Sequence, residues 1–151
     1  MVSETGASGQ PASPIRIVIA DDHAVVRRGL RELVRTLPEC VPIGEAGNGE
    51  EAIRVVDELH PDIVLMDISM PVMDGVEATR AIMARHPDTR VIMLTSDSAE
   101  SRVFGALEAG AAAYVLKDTE PDRILLRIRS TAKTVPRLLA LGSPGVDAQG
   151  E

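Results

Sequence analysis

Residues 15–20 (IRIVIA), 62–66 (DIVLM) and 90–95 (RVIMLT) are almost continuously apolar and rich in β-branched side chains. A strand with one wet face alternates apolar and polar residues; a run without alternation must be covered on both faces, which is the situation of strands in a parallel sheet. Two weaker runs, 42–46 (PIGEA) and 112–117 (AAYVLK), continue the series. Between the runs lie helical patterns at about 23–36, 49–59, 75–85, 99–109 and 121–134. Pro61, Pro87 and Pro121 punctuate them, and Pro121 suits a first helical turn. AGNGE (46–50) and MDG (73–75) are turn signals, and HPD closes a helix before a strand at both 60–62 and 86–88. Five βα units in succession predict an open, doubly wound parallel α/β sheet with helices on both faces.

A chain of 151 residues suffices for one such domain. With one tyrosine, one phenylalanine and no tryptophan, the core must be aliphatic, which argues against aromatic platforms for stacking on bases or carbohydrate. A net charge of −7 argues against direct nucleic-acid binding by this chain. Cys40 is the one cysteine, which rules out an internal disulfide and a cysteine-built metal cage and suits a reducing, cytoplasmic setting. No run approaches the ~20 apolar residues of a membrane span, and the polar N-terminus does not read as a signal peptide. Residues 1–14 and 136–151 are expected to be a disordered lead-in and a flexible tail or linker remnant around a domain at 15–135.

In open parallel sheets the site lies beyond the C-terminal ends of the strands, where the strand order reverses. Asp21 and Asp22 follow the first run, Asp67 the third, Thr95 ends the fourth and Lys117 the fifth. Each has a duller reading alone: an acidic pair as a helix cap, a solvated lysine, a satisfied hydroxyl. Together, if the first strand is central and flanked by the third, they would converge on one rim. Three close carboxylates need more counter-charge than one lysine supplies. The hard oxygen donors favour Mg²⁺, with Mn²⁺ as a substitute, usually shared with phosphate. A carboxylate is also a competent phosphoryl acceptor.

The motifs IVIADDH (17–23), DIVLMDISMPVMDG (62–75), VIMLTS (91–96) and GAAAYVLKD (110–118), in this order, resemble the receiver domain of two-component response regulators over about residues 14–135. ADDHAVVRRGLREL and LKDTEPDRILLRI are similar to the LuxR-like subfamily, which usually carries a helix-turn-helix, here without that domain. The resemblance implies a flavodoxin-like (βα)5 sheet in the order 2-1-3-4-5. It implies Asp67 as phosphoacceptor, Asp22 and Asp67 as metal ligands, Asp21 as a ligand through water, and the Ser69 carbonyl as a further ligand. Lys117 and Thr95 would bind the phosphoryl group, Thr95 and Tyr114 would form the switch, and Ser69 and Asp97 would tune acyl-phosphate hydrolysis. The implied donor is a phosphohistidine on a sensor histidine kinase or phosphotransfer protein.

Phosphorylation would then shift the face formed by the helix at 99–109, the strand at 112–117 and the helix at 121–134, where Phe104, Leu126 and Arg127 mark an interaction surface for a homodimer or output control of transcription. Phe104 has core packing as its alternative. Arg27, Arg28 and Arg31 on the first helix read either as a solvated face or as kinase docking. His23 is better explained as a helix start than as a ligand. Two departures stand out. Asp118 replaces the proline that often follows the lysine, and no helix-turn-helix follows residue 135, which leaves open a stand-alone receiver acting as phosphate sink or adaptor. An aspartyl-phosphate hydrolase of the haloacid-dehalogenase type would need an aspartate where Ser69 stands.

Overall fold

Alternation inside the apolar runs decides how the layers form. In β1 (Ile15–Ala20), Ile15, Ile17 and Ile19 point to one face of the sheet and Val18 and Ala20 to the other. The same division separates Ile63 and Leu65 from Val64 and Met66 in β3 (Ile63–Asp67), and Ile92 and Leu94 from Val91 and Met93 in β4 (Arg90–Thr95). The edge strands are β2 (Cys40–Ala46) and β5 (Ala113–Leu116). All pairs are parallel, in the order β2-β1-β3-β4-β5, as the flavodoxin-like expectation requires. The computed structural model describes residues 13–96 and 100–142.

Helices cover both faces. Leu30 and Val34 of α1 (Ala24–Arg35) and Ile124 and Ile128 of α5 (Pro121–Ala132) close the first. Ala52 and Val56 of α2 (Gly49–Leu59), Ala78 and Ile82 of α3 (Gly75–Arg85) and Ala106 of α4 (Glu100–Glu108) close the second. Local chemistry sets their ends. Asn48 and Asp74 cap α2 and α3, each side chain accepting from the N–H three residues on at 2.8 Å. Pro121 stands in the first turn of α5. Gly110, at φ +107°, ends α4 in the left-handed region. No helix among the described residues is long and apolar enough to cross a membrane.

The elements depart from expectation at two places. β2 starts at Cys40 rather than residue 42, because Cys40 pairs with Ile15 and is buried there. The second is at 136–142, inside the stretch expected as tail, where the chain forms a sixth helix, α6 (Pro136–Gly142). Val135 is 1% exposed and Leu138 packs on the core shared by α1 and α5, so VPRLL supplies an apolar anchor. An ion pair between the exposed Arg137 and the buried Asp62 adds to it. Asp62 accepts from Arg137 Nε at 2.9 Å and Nη2 at 2.7 Å, and from the Arg16 N–H at 2.8 Å.

Candidate functional site

Parallel pairing brings the C-terminal ends of the strands to one rim, and the order reverses between β1 and β3. Asp21 extends the ladder past β1, its N–H donating to Ala46 O at 3.0 Å. Asp67 is the last residue of β3 and Thr95 the last of β4. Lys117 follows β5, its N–H donating to Thr95 O at 2.8 Å. Sheet hydrogen bonds thus place the chemistry.

Asp21 is fully buried, Thr95 is 2% exposed and Asp67 5%. The Lys117 ammonium donates to Asp21 Oδ2 at 2.6 Å and stands 3.5 Å from Asp67 Oδ2. Burial, then the nearby Asp21 charge, push the Asp67 carboxyl above its usual range; Lys117 and the Ser69 N–H oppose this without cancelling it. Burial alone would lower Lys117, but its bond to Asp21 and the charges of Asp67 and Asp21 hold it above its ordinary value.

Asp21 is further committed, its Oδ1 accepting from the His23 N–H at 2.9 Å. Asp22 is not. Among the described residues, Asp22 Oδ1 is the buried side-chain oxygen with no hydrogen bond. Such an atom is costly unless something else binds it. The His23 ring nitrogen Nδ1 lies 3.2 Å from it, and Asp21, Asp22 and His23 offer ligand atoms within 4.8 Å of one another. The His23 side chain is 70% exposed. A carboxylate oxygen with no hydrogen bond, beside the buried carboxylate of Asp21 and the His23 ring, fits a hard divalent cation such as Mg²⁺.

An open cleft of about 440 Å³ adjoins Asp22, lined also by Ser69, Met70, Pro71 and Asp74. The motif reading did not single out Asp74 or Met70; the MDG turn was the available signal, and folding turns it into a wall. Two glycines allow this loop. A Cβ on Gly75 would lie 2.2 Å from Asp67 O, and one on Gly49 2.5 Å from Met73 O. Val72, at φ +71° with the Met73 N–H donating to Pro71 O at 2.7 Å, forms a strained three-residue turn.

The remaining sequence-predicted residues lie apart. Tyr114 is 40% exposed on β5, and Phe104 is 64% and Leu126 70% exposed, so Phe104 is not core. Arg127 is exposed on α5. Arg27 and Arg31 both pair with Glu45 of β2, whereas Arg28 is exposed. Asp97 lies outside the described residues. No described peptide bond is cis, that of Lys117–Asp118 included.

The family profile of the response regulator receiver domain matches residues 17–129. The chain belongs to that family. This receiver is 52% identical over 111 residues to the uncharacterized transcriptional regulatory protein YhcZ of Bacillus subtilis, an alignment covering 74% of the chain and 52% of YhcZ. The chain thus spans about half the length of that relative. Its structure is similar to that of a LuxR-family two-component response regulator from Aurantimonas, with TM-score 0.78 and 31% identity over 92% of this chain and 100% of that one. It is also similar to a chain of the CheX–CheY–BeF3–Mg²⁺ complex from Borrelia burgdorferi, with TM-score 0.73 and 30% identity over 78% of this receiver and 88% of that chain.

Proposed function

We propose that the receiver is a cytoplasmic switch whose Asp67 accepts a phosphoryl group from a phosphohistidine on a partner kinase or phosphotransfer protein. The observation that carries this is a buried Asp67 3.5 Å from Lys117, on the same strand-end rim as an Asp22 oxygen that has no hydrogen bond.

Asp67 would attack phosphorus in line, forming an O–P bond as the N–P bond to the donor imidazole breaks. The departing imidazole keeps the electron pair. Asp22, Asp67 and the Ser69 carbonyl would hold Mg²⁺, with Asp21 reaching it through water. The cation, when bound, neutralises charge on the transferring oxygens. Lys117 would pair with one phosphoryl oxygen and the Thr95 hydroxyl would donate to another. The similar Borrelia structure is a complex of CheX and CheY with BeF3 and Mg²⁺, which supports the same chemistry here.

Thr95 moving toward a phosphorylated Asp67 would leave space beside β5. Tyr114, 40% exposed, would turn into that space and change the α4–β5–α5 face. Ser69 and Asp97 would set how fast water reaches the acyl phosphate.

Intact mass after incubation with acetyl phosphate and Mg²⁺ tests the reading. Wild type is expected to gain one phosphoryl group and Asp67→Asn none. Labelling of Asp67→Asn at the wild-type rate would sink the assignment.

A further inference from the structure

Arg27 is occupied on both sides of its guanidinium. Nη1 donates to the main-chain carbonyl of Asp21 at 2.5 Å, and Nε donates to Glu45 Oε1 at 3.1 Å. The other Glu45 oxygen accepts from Arg31, one turn further along α1. The Arg27, Glu45 and Arg31 side chains are 23%, 29% and 30% exposed, so water screens these bonds only in part.

The carbonyl that Arg27 holds belongs to the peptide joining Asp21 to Asp22. The two carboxylates hang from opposite ends of that peptide, so its orientation sets where both are presented. The Asp21 N–H is already fixed by Ala46 O. Arg27 fixes the carbonyl that follows, Glu45 fixes Arg27, and Arg31 fixes Glu45. A charged donor makes the carbonyl bond stronger than a neutral one would. A planar guanidinium fork also holds two acceptors in set directions, which an ammonium does not.

We propose that Arg27, oriented by Glu45, is a positioning residue for the divalent-cation site, holding the Asp21–Asp22 peptide so that the Asp22 carboxylate is presented to the cation. This rests on the cation-dependent phosphoacceptor reading above. It assigns Arg27 a role inward, through the backbone, instead of outward toward a docking partner. Arg28 is its natural control, being exposed on the same helix with no ion-pair partner among the described residues.

Mg²⁺ titrations followed by amide NMR shifts test this on the full chain, with thermal unfolding in chelator as the measure of folding. Groups that orient metal ligands are worth roughly 10–100-fold in affinity. The Mg²⁺ Kd is expected to rise at least about tenfold in Arg27→Gln and Glu45→Gln, and to stay at the wild-type value in Arg28→Gln. Phosphorylation by acetyl phosphate should drop at low Mg²⁺ and recover at saturating Mg²⁺, a loss in KM for the cation and not in kcat. Arg27→Lys, with the charge but not the fork, should bind more weakly than wild type.

Wild-type Mg²⁺ affinity in both Arg27→Gln and Glu45→Gln overturns the proposal. An Arg27→Lys chain that binds like wild type overturns positioning in favour of charge alone. Should Arg27→Gln fail to fold, Glu45→Gln, which leaves Arg27 present but unanchored, decides the matter. A wild-type chain that binds no Mg²⁺ overturns the cation-dependent reading itself, and this proposal with it.

Discussion

Asp67 is a carboxylate that the native state holds at a cost. Its folded pKa is raised, first by burial and then by Asp21. The unfolded chain therefore loses this proton at lower pH than the native chain does. Between the two values the native state binds more protons, so this group's contribution to stability falls as pH rises through that window. Above the folded value the full penalty is present. Asp67→Asn removes it, while Lys117 keeps its closer partner Asp21 at 2.6 Å. The variant is expected to be more stable than wild type at neutral pH, by about 0.5–2 kcal/mol, the usual size of a single stabilising substitution. The difference should close below the ordinary carboxylate range. Urea unfolding across that range checks the sign, and a variant less stable than wild type at neutral pH would contradict it. Cys40 behaves differently: burial pushes its thiol up to about 12, which makes it a packing group and not a nucleophile.

Among the elements, α6 shows where reading by pattern stops. The five strands and first five helices were legible because short apolar runs alternate with longer helical patterns, punctuated by turn signals. A helix of seven residues has too few turns to display such a pattern. Its placement depends instead on Asp62, distant in sequence, whose carboxylate receives Arg137 at 2.7 and 2.9 Å. Arg137→Gln would leave an acceptor 5% exposed with the Arg16 N–H alone of its three hydrogen bonds. The expected cost is about 1–3 kcal/mol, with faster amide exchange in 136–142 than in α5. Unchanged unfolding and exchange would show that Val135 and Leu138 alone hold α6. The strand-end residues were legible for a different reason: each has a duller reading alone, but their joint placement at the ends of successive strands fits one site.

At the scale of the whole molecule, four of the exposed large apolar side chains, Phe104, Leu107, Tyr114 and Leu126, lie on α4, β5 and α5. Leu126 falls outside the stripe of Ile124 and Ile128 that meets the sheet. If phosphorylation reshapes this face toward self-association, sedimentation with beryllofluoride and Mg²⁺ should show a dimer that the untreated chain lacks. Leu126→Asp should abolish that dimer while phosphorylation of Asp67 proceeds. A monomer under both conditions would rule out self-association as the outcome of the switch.

The sequence alone determined the layering, the parallel sheet and the order in which Asp21, Asp22, Asp67, Thr95 and Lys117 meet the rim, because these follow from local periodicity and from where each apolar run stops. Tertiary structure decided what those residues do to one another. It committed Lys117 to Asp21 more closely than to Asp67, left Asp22 Oδ1 without a hydrogen bond, and turned Arg27 and Arg31 inward to Glu45. Glu45 and Asp62 were invisible as partners because hydrogen bonds between residues far apart in the chain leave no period in it. They exist only once the sheet has set β2 beside β1 and folded α6 back beneath it.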